Sequence, residues 1–241
     1  MKKYQSLFFD LDNTLWDFDK NSYEALKIAF YNFELDKYNI EIDTFFKYYM
    51  VNNDQMWDEY RKRIITKQDL IKKRFELTFA DSGITGIDPL CFNKKYLEEM
   101  PKQSILMDGA LEVLEYLKSK NYSLYIITNG FKEVQLKKLD ISGLSLYFNK
   151  VFISEVIKAP KPSKEIFEFA LKSTNSRKKE SLMIGDSWEV DILGAMNSGI
   201  DQVHLNRKNQ ISFTNEDKHQ IQKSNTNSIR IRFLKELYNY L

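Results

Sequence analysis

One cysteine in 241 residues, Cys91, excludes an internal disulfide and any two-cysteine metal site. That usage fits a reducing compartment, and Cys91 itself is expected to be a small buried apolar residue rather than a reactive thiol. The charge is nearly balanced, 36 basic against 34 acidic residues for a net +2, so no global field draws nucleic acid or an anionic membrane. Long apolar runs are missing as well. No stretch approaches the roughly 20 residues a spanning helix needs, and the first apolar run meets Asp10 too early for a signal-peptide core. There is no GxGxxG or GxxxxGK[ST] phosphate loop and no internal repeat. These exclusions leave a soluble cytoplasmic protein that handles any charged ligand at a local site. At 43% hydrophobic residues the chain can build a packed core, in one large or two modest domains.

The residues that are present fall into two rhythms. From about 19 to 99 apolar residues recur at spacings of three and four, as in NSYEALKIAFYNF and TKQDLIKKRFELTF, and every segment reads as helix. Asp43 and Thr66 are the expected N-caps within this block. From about residue 108 helix and strand alternate, which predicts βαβ units and a parallel sheet. The apolar run Ser6-Leu7-Phe8-Phe9 has the character of a strand buried on both faces of that same sheet. The expected fold class is therefore α/β, a Rossmann-like core of residues 1–16 and 101–241 with an all-helical domain, 17–100, inserted after the first strand. Trp16 to Phe18 and the stretch from Pro101 through ILMDG would be the two linkers of a hinged lid. The polar C-terminal stretch from NRKNQ onward is expected to end in a helix over IRIRFLKELYNYL.

Open α/β sheets bind ligands beyond the carboxyl ends of their strands, so the residues that follow each predicted strand matter most. The first strand runs into Asp10-Leu11-Asp12-Asn13-Thr14. Residues two apart in an extended chain share a face, so the carboxylates of Asp10 and Asp12 point the same way. At about 4 Å they repel by roughly 4 kcal/mol at an effective dielectric near 20, so both ionise only beside a cation or with a raised pKa. SLYIIT ends in Thr128-Asn129-Gly130, where a hydroxyl, exposed amides and a helix N-terminus suit an anion such as phosphate. VFISEV leads into KAPKPS, where Pro160 and Pro162 stiffen the backbone around Lys161 and Lys158 is a competing cation. SLMI ends in Gly185-Asp186, with Asp191 just inside the next helix. Asp186 with Asp10 supplies two carboxylates for a hard cation, the way Mg²⁺ is held when a phosphate provides further oxygens.

DxDxT, then Thr after a second strand, then Lys before Pro, then GDxxxxD resembles the haloacid dehalogenase (HAD) superfamily from Asp10 to Asp191, and the helical insertion resembles its C1-type cap. FFDLDNTLWDFDKNS, VNNDQMWDEYRK, IITNGFKEVQLKKL and SLMIGDSWEVDILGA narrow the likeness to the YjjG-type pyrimidine 5′-nucleotidases, to about residue 206. The C-terminal stretch departs from that pattern.

The resemblance implies a Mg²⁺-dependent phosphomonoester hydrolase. Asp10 would attack phosphorus and form an aspartyl-phosphate, while Asp12 would protonate the leaving alkoxide and then deprotonate the hydrolytic water. Thr128 and the Asn129 amide would hold the phosphoryl oxygens, and Lys161 would offset charge between Asp10 and the transferred group. Asp10, Asp186 and the Asp12 main-chain carbonyl would hold the metal. Asp191 would orient Lys161 or a metal-bound water, and Thr14 would support the metal site from behind. Asp12 argues against dehalogenation, and Asn13-Thr14 against a sugar-phosphate mutase. The expected substrate is a small phosphomonoester, by resemblance a nucleoside monophosphate, with aromatics such as Trp16, Phe18, Trp57 and Tyr60 as candidates for stacking on the base. Two other readings stay open: a phosphatase for phosphoglycolate or sugar phosphates, and a non-catalytic binding protein.

Overall fold

A computed structural model describes residues 3–207 and 213–241. The chain divides into two compact units, residues 1–18 with 105–241 and residues 19–104.

The first unit is built on a six-stranded sheet in the order β3-β2-β1-β4-β5-β6, every neighbouring pair parallel. The strands are β1 (Ser6–Phe9), β2 (Ser123–Thr128), β3 (Lys150–Ile153), β4 (Ser181–Gly185), β5 (Asp201–Leu205) and β6 (Ser228–Ile231). β1, β4 and β5 are buried along their whole length, as a parallel sheet covered on both faces requires. Phe8 aligns with Tyr125 on one side and Met183 on the other, and its ring stacks on Tyr125 at 5.1 Å. From β1 the chain winds one way through β2 to β3, then crosses back to lay β4 on the opposite side of β1. The winding therefore reverses between β1 and β4, where a doubly wound sheet opens a crevice at its strand ends.

The crossovers are helical: α5 (Ala110–Ser119), α6 (Lys132–Ile141), α7 (Ser154–Ile157), α8 (Lys164–Ser173) and α9 (Leu193–Asn197), with α10 (Asn215–Lys223) between β5 and β6. α8 buries Ile166, Phe167, Ala170 and Leu171 at the spacing of one helical face, in a cluster with Phe8, Phe152 and Met183. The segments on either side of the helical unit run antiparallel to each other: Asp17 N–H donates to Ile105 O at 3.0 Å and Met107 N–H to Leu15 O at 2.9 Å.

The second unit is helical: α1 (Phe18–Asn32), α2 (Ile42–Arg61), α3 (Lys67–Asp81) and α4 (Pro89–Glu99). Its core is aromatic, with Phe75 in edge contact with Phe92 at 4.9 Å and stacked on Tyr49 at 5.3 Å. Thr66 caps α3 in a reciprocal capping box with Asp69, as its sequence promised. Asp43 does not cap α2; Glu41 occupies that position and Asp43 lies in the first turn, where it accepts from the Tyr23 hydroxyl at 2.6 Å.

Two further expectations are overturned. Cys91 is exposed, and its thiol donates to Asp88 Oδ2 at 3.2 Å. That hydrogen bond and the carboxylate's charge raise the thiol pKa. The C-terminal stretch holds no α-helix over 229–241; Ser228–Ile231 forms β6 and Leu234–Asn239 a 3-10 helix. The start of that stretch lies partly outside the described residues. Among the described residues, no helix is long and apolar enough to cross a membrane.

Candidate active site

Asp10 directly follows β1, and its N–H donates to Ile184 O at 2.9 Å, so the ladder to β4 extends one residue past the strand. That bond sets Asp10 beside the end of β4, where Gly185 and Asp186 follow. Asp10, Asp186 and Asp191 each offer a carboxylate oxygen, and the three lie within 4.8 Å of one another. Gly185 makes this approach feasible, because a Cβ there would sit 2.6 Å from Asp191 Cβ. Asp191 lies in a π-helical turn, Trp188–Ile192, and accepts the Ser187 N–H at 3.1 Å. Thr14, fully buried, donates to Asp186 Oδ1 at 3.3 Å.

Lys161 reaches into this cluster. Its side chain is 1% exposed, and Nζ donates to Asp10 Oδ1 at 2.5 Å and Asp191 Oδ1 at 2.6 Å. Asn129 fixes its backbone on both sides: Oδ1 accepts the Lys161 N–H at 2.8 Å and Nδ2 donates to the Lys161 carbonyl at 3.0 Å. The Asn129 side chain is thus committed to the lysine loop. Lys158, the competing cation, is exposed at the left-handed end of α7. Thr128 Oγ1 accepts from Gly130 N at 3.1 Å and from Gln135 Nε2 at 2.7 Å. With both lone pairs engaged, the hydroxyl hydrogen remains for an incoming acceptor.

Three carboxylates around one ammonium leave a buried excess of negative charge. Burial pushes Asp10 well above the usual carboxylate range; Lys161 opposes this, while Asp191 and Asp186 add to it. Asp186 is pushed up to about 7 by burial and by the Asp191 carboxylate. Burial alone would lower Lys161, but Asp10 and Asp191 hold it above its ordinary value. A cluster of hard oxygen donors with charge to spare is chemically suited to a divalent ion such as Mg²⁺.

Asp12 stands apart from the acidic cluster. Its Oδ1 accepts from Lys138 Nζ at 2.6 Å and its Oδ2 from Gln135 Nε2 at 2.8 Å. Neither α6 residue was singled out from the sequence. Their signal was available, because both fall on the same helical face as Val134 and Leu139, where apolar residues belong. His204, on β5, was also missed: Arg230 Nε donates to its Nδ1 at 3.2 Å, so Nε2 carries the proton and donates to the Asp186 carbonyl at 2.9 Å. Of the aromatics considered for base stacking, Trp16 is fully buried with Lys138 Nζ 4.1 Å over its ring, which removes it from that role. Trp57 and Tyr60 are half-buried and in edge contact at 5.7 Å.

Residues 4–199 match the family described as haloacid dehalogenase-like hydrolase. The chain is 34% identical over 204 residues to the pyrimidine 5′-nucleotidase PynA of Streptococcus pneumoniae (strain ATCC BAA-255 / R6), covering 84% of each protein. It is 34% identical over 205 residues to the pyrimidine 5′-nucleotidase YjjG of Escherichia coli (strain K12), covering 85% of this chain and 87% of that one. The magnesium-bound structure of YfnB from Bacillus subtilis, described as a HAD-hydrolase, is 28% identical and covers 99% of this chain and 98% of its own, with a TM-score of 0.83. Matched over most of its length in sequence and in structure, the chain belongs to the haloacid dehalogenase-like hydrolase family.

Proposed function

We propose that this chain is a Mg²⁺-dependent phosphomonoester hydrolase that works through an aspartyl-phosphate on Asp10, with pyrimidine nucleoside 5′-monophosphates as its preferred substrates. The observation that carries this reading is the Asp10 carboxylate, held by Lys161 at the end of β1 with Asp186 and Asp191 beside it. The identity to two proteins named pyrimidine 5′-nucleotidases supports the substrate class.

Lys161 engages Oδ1 of Asp10, so attack on phosphorus falls to Oδ2. As the new O–P bond forms, the ester P–O bond breaks and its electron pair passes to the alkoxide, which takes a proton from Asp12. A water then attacks phosphorus and gives its proton to Asp12, and the Asp10–phosphorus bond breaks with its electrons returned to the carboxylate. Thr128 Oγ–H and the Asn129 N–H hold the phosphoryl oxygens, and Lys161 offsets charge as they crowd Asp10. Asp10, Asp186 and the Asp12 carbonyl would hold Mg²⁺, which when bound supplies the positive charge that lets these carboxylates and a phosphate dianion coexist. Asp191 orients Lys161 through their 2.6 Å ion pair. The single cysteine supports a cytoplasmic location.

The test is phosphate release from UMP, dUMP, dTMP, phosphoglycolate and sugar phosphates, with and without Mg²⁺, for the wild type and Asp10→Asn. Mg²⁺-dependent release led by the pyrimidine nucleotides and abolished by the substitution is the expected result. Preference for phosphoglycolate or a sugar phosphate would overturn the substrate class and keep the site. No release from any ester would favour a binding protein.

A further inference from the structure

One face of α6 reaches both the proton-transfer group and the phosphate anchor. Gln135 and Lys138 are three residues apart, a helical neighbour spacing, and both are at least 98% buried, at 1% and 2% exposed. Gln135 divides its two N–H bonds between Asp12 Oδ2, at 2.8 Å, and Thr128 Oγ1, at 2.7 Å. Gly130 gives it room, since a Cβ there would lie 2.8 Å from Gln135 Cγ. Lys138 takes Asp12 Oδ1 at 2.6 Å, with its ammonium 4.1 Å over the Trp16 ring and 5.6 Å from the Phe18 ring. A lysine walled in by aromatic faces has given up its hydration, and a buried ion pair returns little net stability compared with apolar packing. What the arrangement does provide is a fixed direction for a carboxyl that is itself 28% exposed.

We propose that Lys138 and Gln135 are positioning residues that hold the Asp12 carboxyl for proton transfer, the ammonium claiming Oδ1 so that the proton passes through the open lone pair of Oδ2. The proposal rests on the phosphomonoesterase reading and deepens it. In the first step the proton on Oδ2 goes to the departing alkoxide; in the second the attacking water returns a proton to the same oxygen. One oxygen serves both steps only if the carboxyl does not rotate between them, and two donors on its two oxygens prevent that rotation. Gln135 also saturates the Thr128 oxygen as an acceptor, so the face that aims the proton carrier aims the Thr128 hydroxyl as well.

Leaving-group dependence tests this directly. An alkyl ester such as UMP needs a proton on its leaving oxygen, whereas p-nitrophenyl phosphate expels a stable phenolate without one. We would measure kcat/KM, which covers phosphoryl transfer to Asp10, for both esters with wild type, Lys138→Met and Gln135→Met at saturating Mg²⁺. Positioned proton transfer contributes roughly 10²–10⁴-fold, so the UMP to p-nitrophenyl phosphate ratio should fall about 10- to 100-fold in each variant. Equal losses on the two esters, or no loss on either, would overturn the proposal. A wild type inert on both esters would overturn the hydrolase reading and this proposal with it, a result distinct from equal losses in active variants. If circular dichroism shows Lys138→Met unfolded, Gln135→Met, which removes no charge, decides the question by the same ratio.

Discussion

Lys161 Nζ donates to Asp10 Oδ1 at 2.5 Å, although 151 residues of sequence separate the two. The same ammonium reaches Asp191 at 2.6 Å, so one cation bridges the end of β1 and the turn after β4. Lys161→Met removes the cation and leaves the carboxylates facing one another. Breaking a buried pair by deleting one partner costs about 3–5 kcal/mol, and losing a donor at the reacting centre costs about 10²–10³ in kcat. Urea unfolding at neutral pH and phosphate release measure the two losses separately. A variant as stable as the wild type would mean the bridge carries no structural charge balance.

Asp186 makes a linked prediction about pH. Its folded pKa is pushed from 3.8 up to about 7, and Asp10 is raised as well. Between the ordinary and the folded values the native state binds more protons than the unfolded state, so these groups make stability fall as pH rises. Surface carboxylates such as Asp58, lowered mainly by its hydrogen bond from Lys62, act in the opposite direction. The informative quantity is therefore a difference. In the presence of a chelator, Asp186→Asn should gain Tm relative to wild type as pH rises from 4.5 to 7.5. Added Mg²⁺ should erase that gain by stabilising the wild-type carboxylates. A Tm difference that stays flat with pH in chelator would show that Asp186 ionises as easily folded as unfolded.

Gly185→Ala isolates the close approach at the end of β4. The added methyl would meet Asp191 Cβ at 2.6 Å, well inside ordinary contact, and Asp191 can retreat only by loosening its hold on Lys161 and the Ser187 N–H. Overpacking of this kind costs about 1–3 kcal/mol. Activity should fall by a larger factor than that cost suggests, because Lys161 loses its aim. Measured kcat close to wild type would show that Asp191 is not what orients the lysine.

The parts of this site legible in the sequence were those where a buried strand ends in a polar residue. Asp10, Thr128 and Asp186 each end or follow an apolar run too short and too uniform for an amphipathic helix, and the sheet brings these ends together, while Lys161, which lies beyond α7 rather than at a strand end, is marked by the prolines on either side of it. Gln135 and Lys138 were not legible because FKEVQLKKL reads as an ordinary amphipathic helix until its face is known. Val134 and Leu139 point inward, and the two polar residues between them point inward too. Asp43 was misplaced because the true cap, Glu41, makes no side-chain cap bond and so leaves no signature. β6 was misread for a longer-range reason. Four residues, SIRI, alternate too briefly to outweigh the helical spacing of LKELYNYL after them, and they become a strand because the open edge of β5 pairs with them.

That misread strand carries the remaining prediction. Arg230, on β6, donates to His204 Nδ1 at 3.2 Å and to Asp217 Oδ2 at 3.1 Å, with its guanidinium 4.3 Å from the Phe213 ring. Burial, and then the Arg230 charge, hold His204 below its ordinary value of 6.5. A histidine with a depressed folded pKa binds fewer protons folded than unfolded, so the stability it contributes is present above 6.5 and declines as pH falls through that value. Arg230→Met removes both the repulsion and the donor that fills Nδ1, leaving that nitrogen open to a proton. The His204 pKa should then rise, and loss of the Asp217 pair should cost up to about 3–5 kcal/mol, since both partners are nearly buried. With two histidines in the chain, His204 and His219, their ring C–H signals can be followed by NMR across pH 4.5–8 in wild type and variant. A His204 midpoint that does not move would show that the C-terminal strand does not set the protonation of the ring behind Asp186. An upward shift together with lost stability would show that this strand helps hold the loop that carries the acidic cluster.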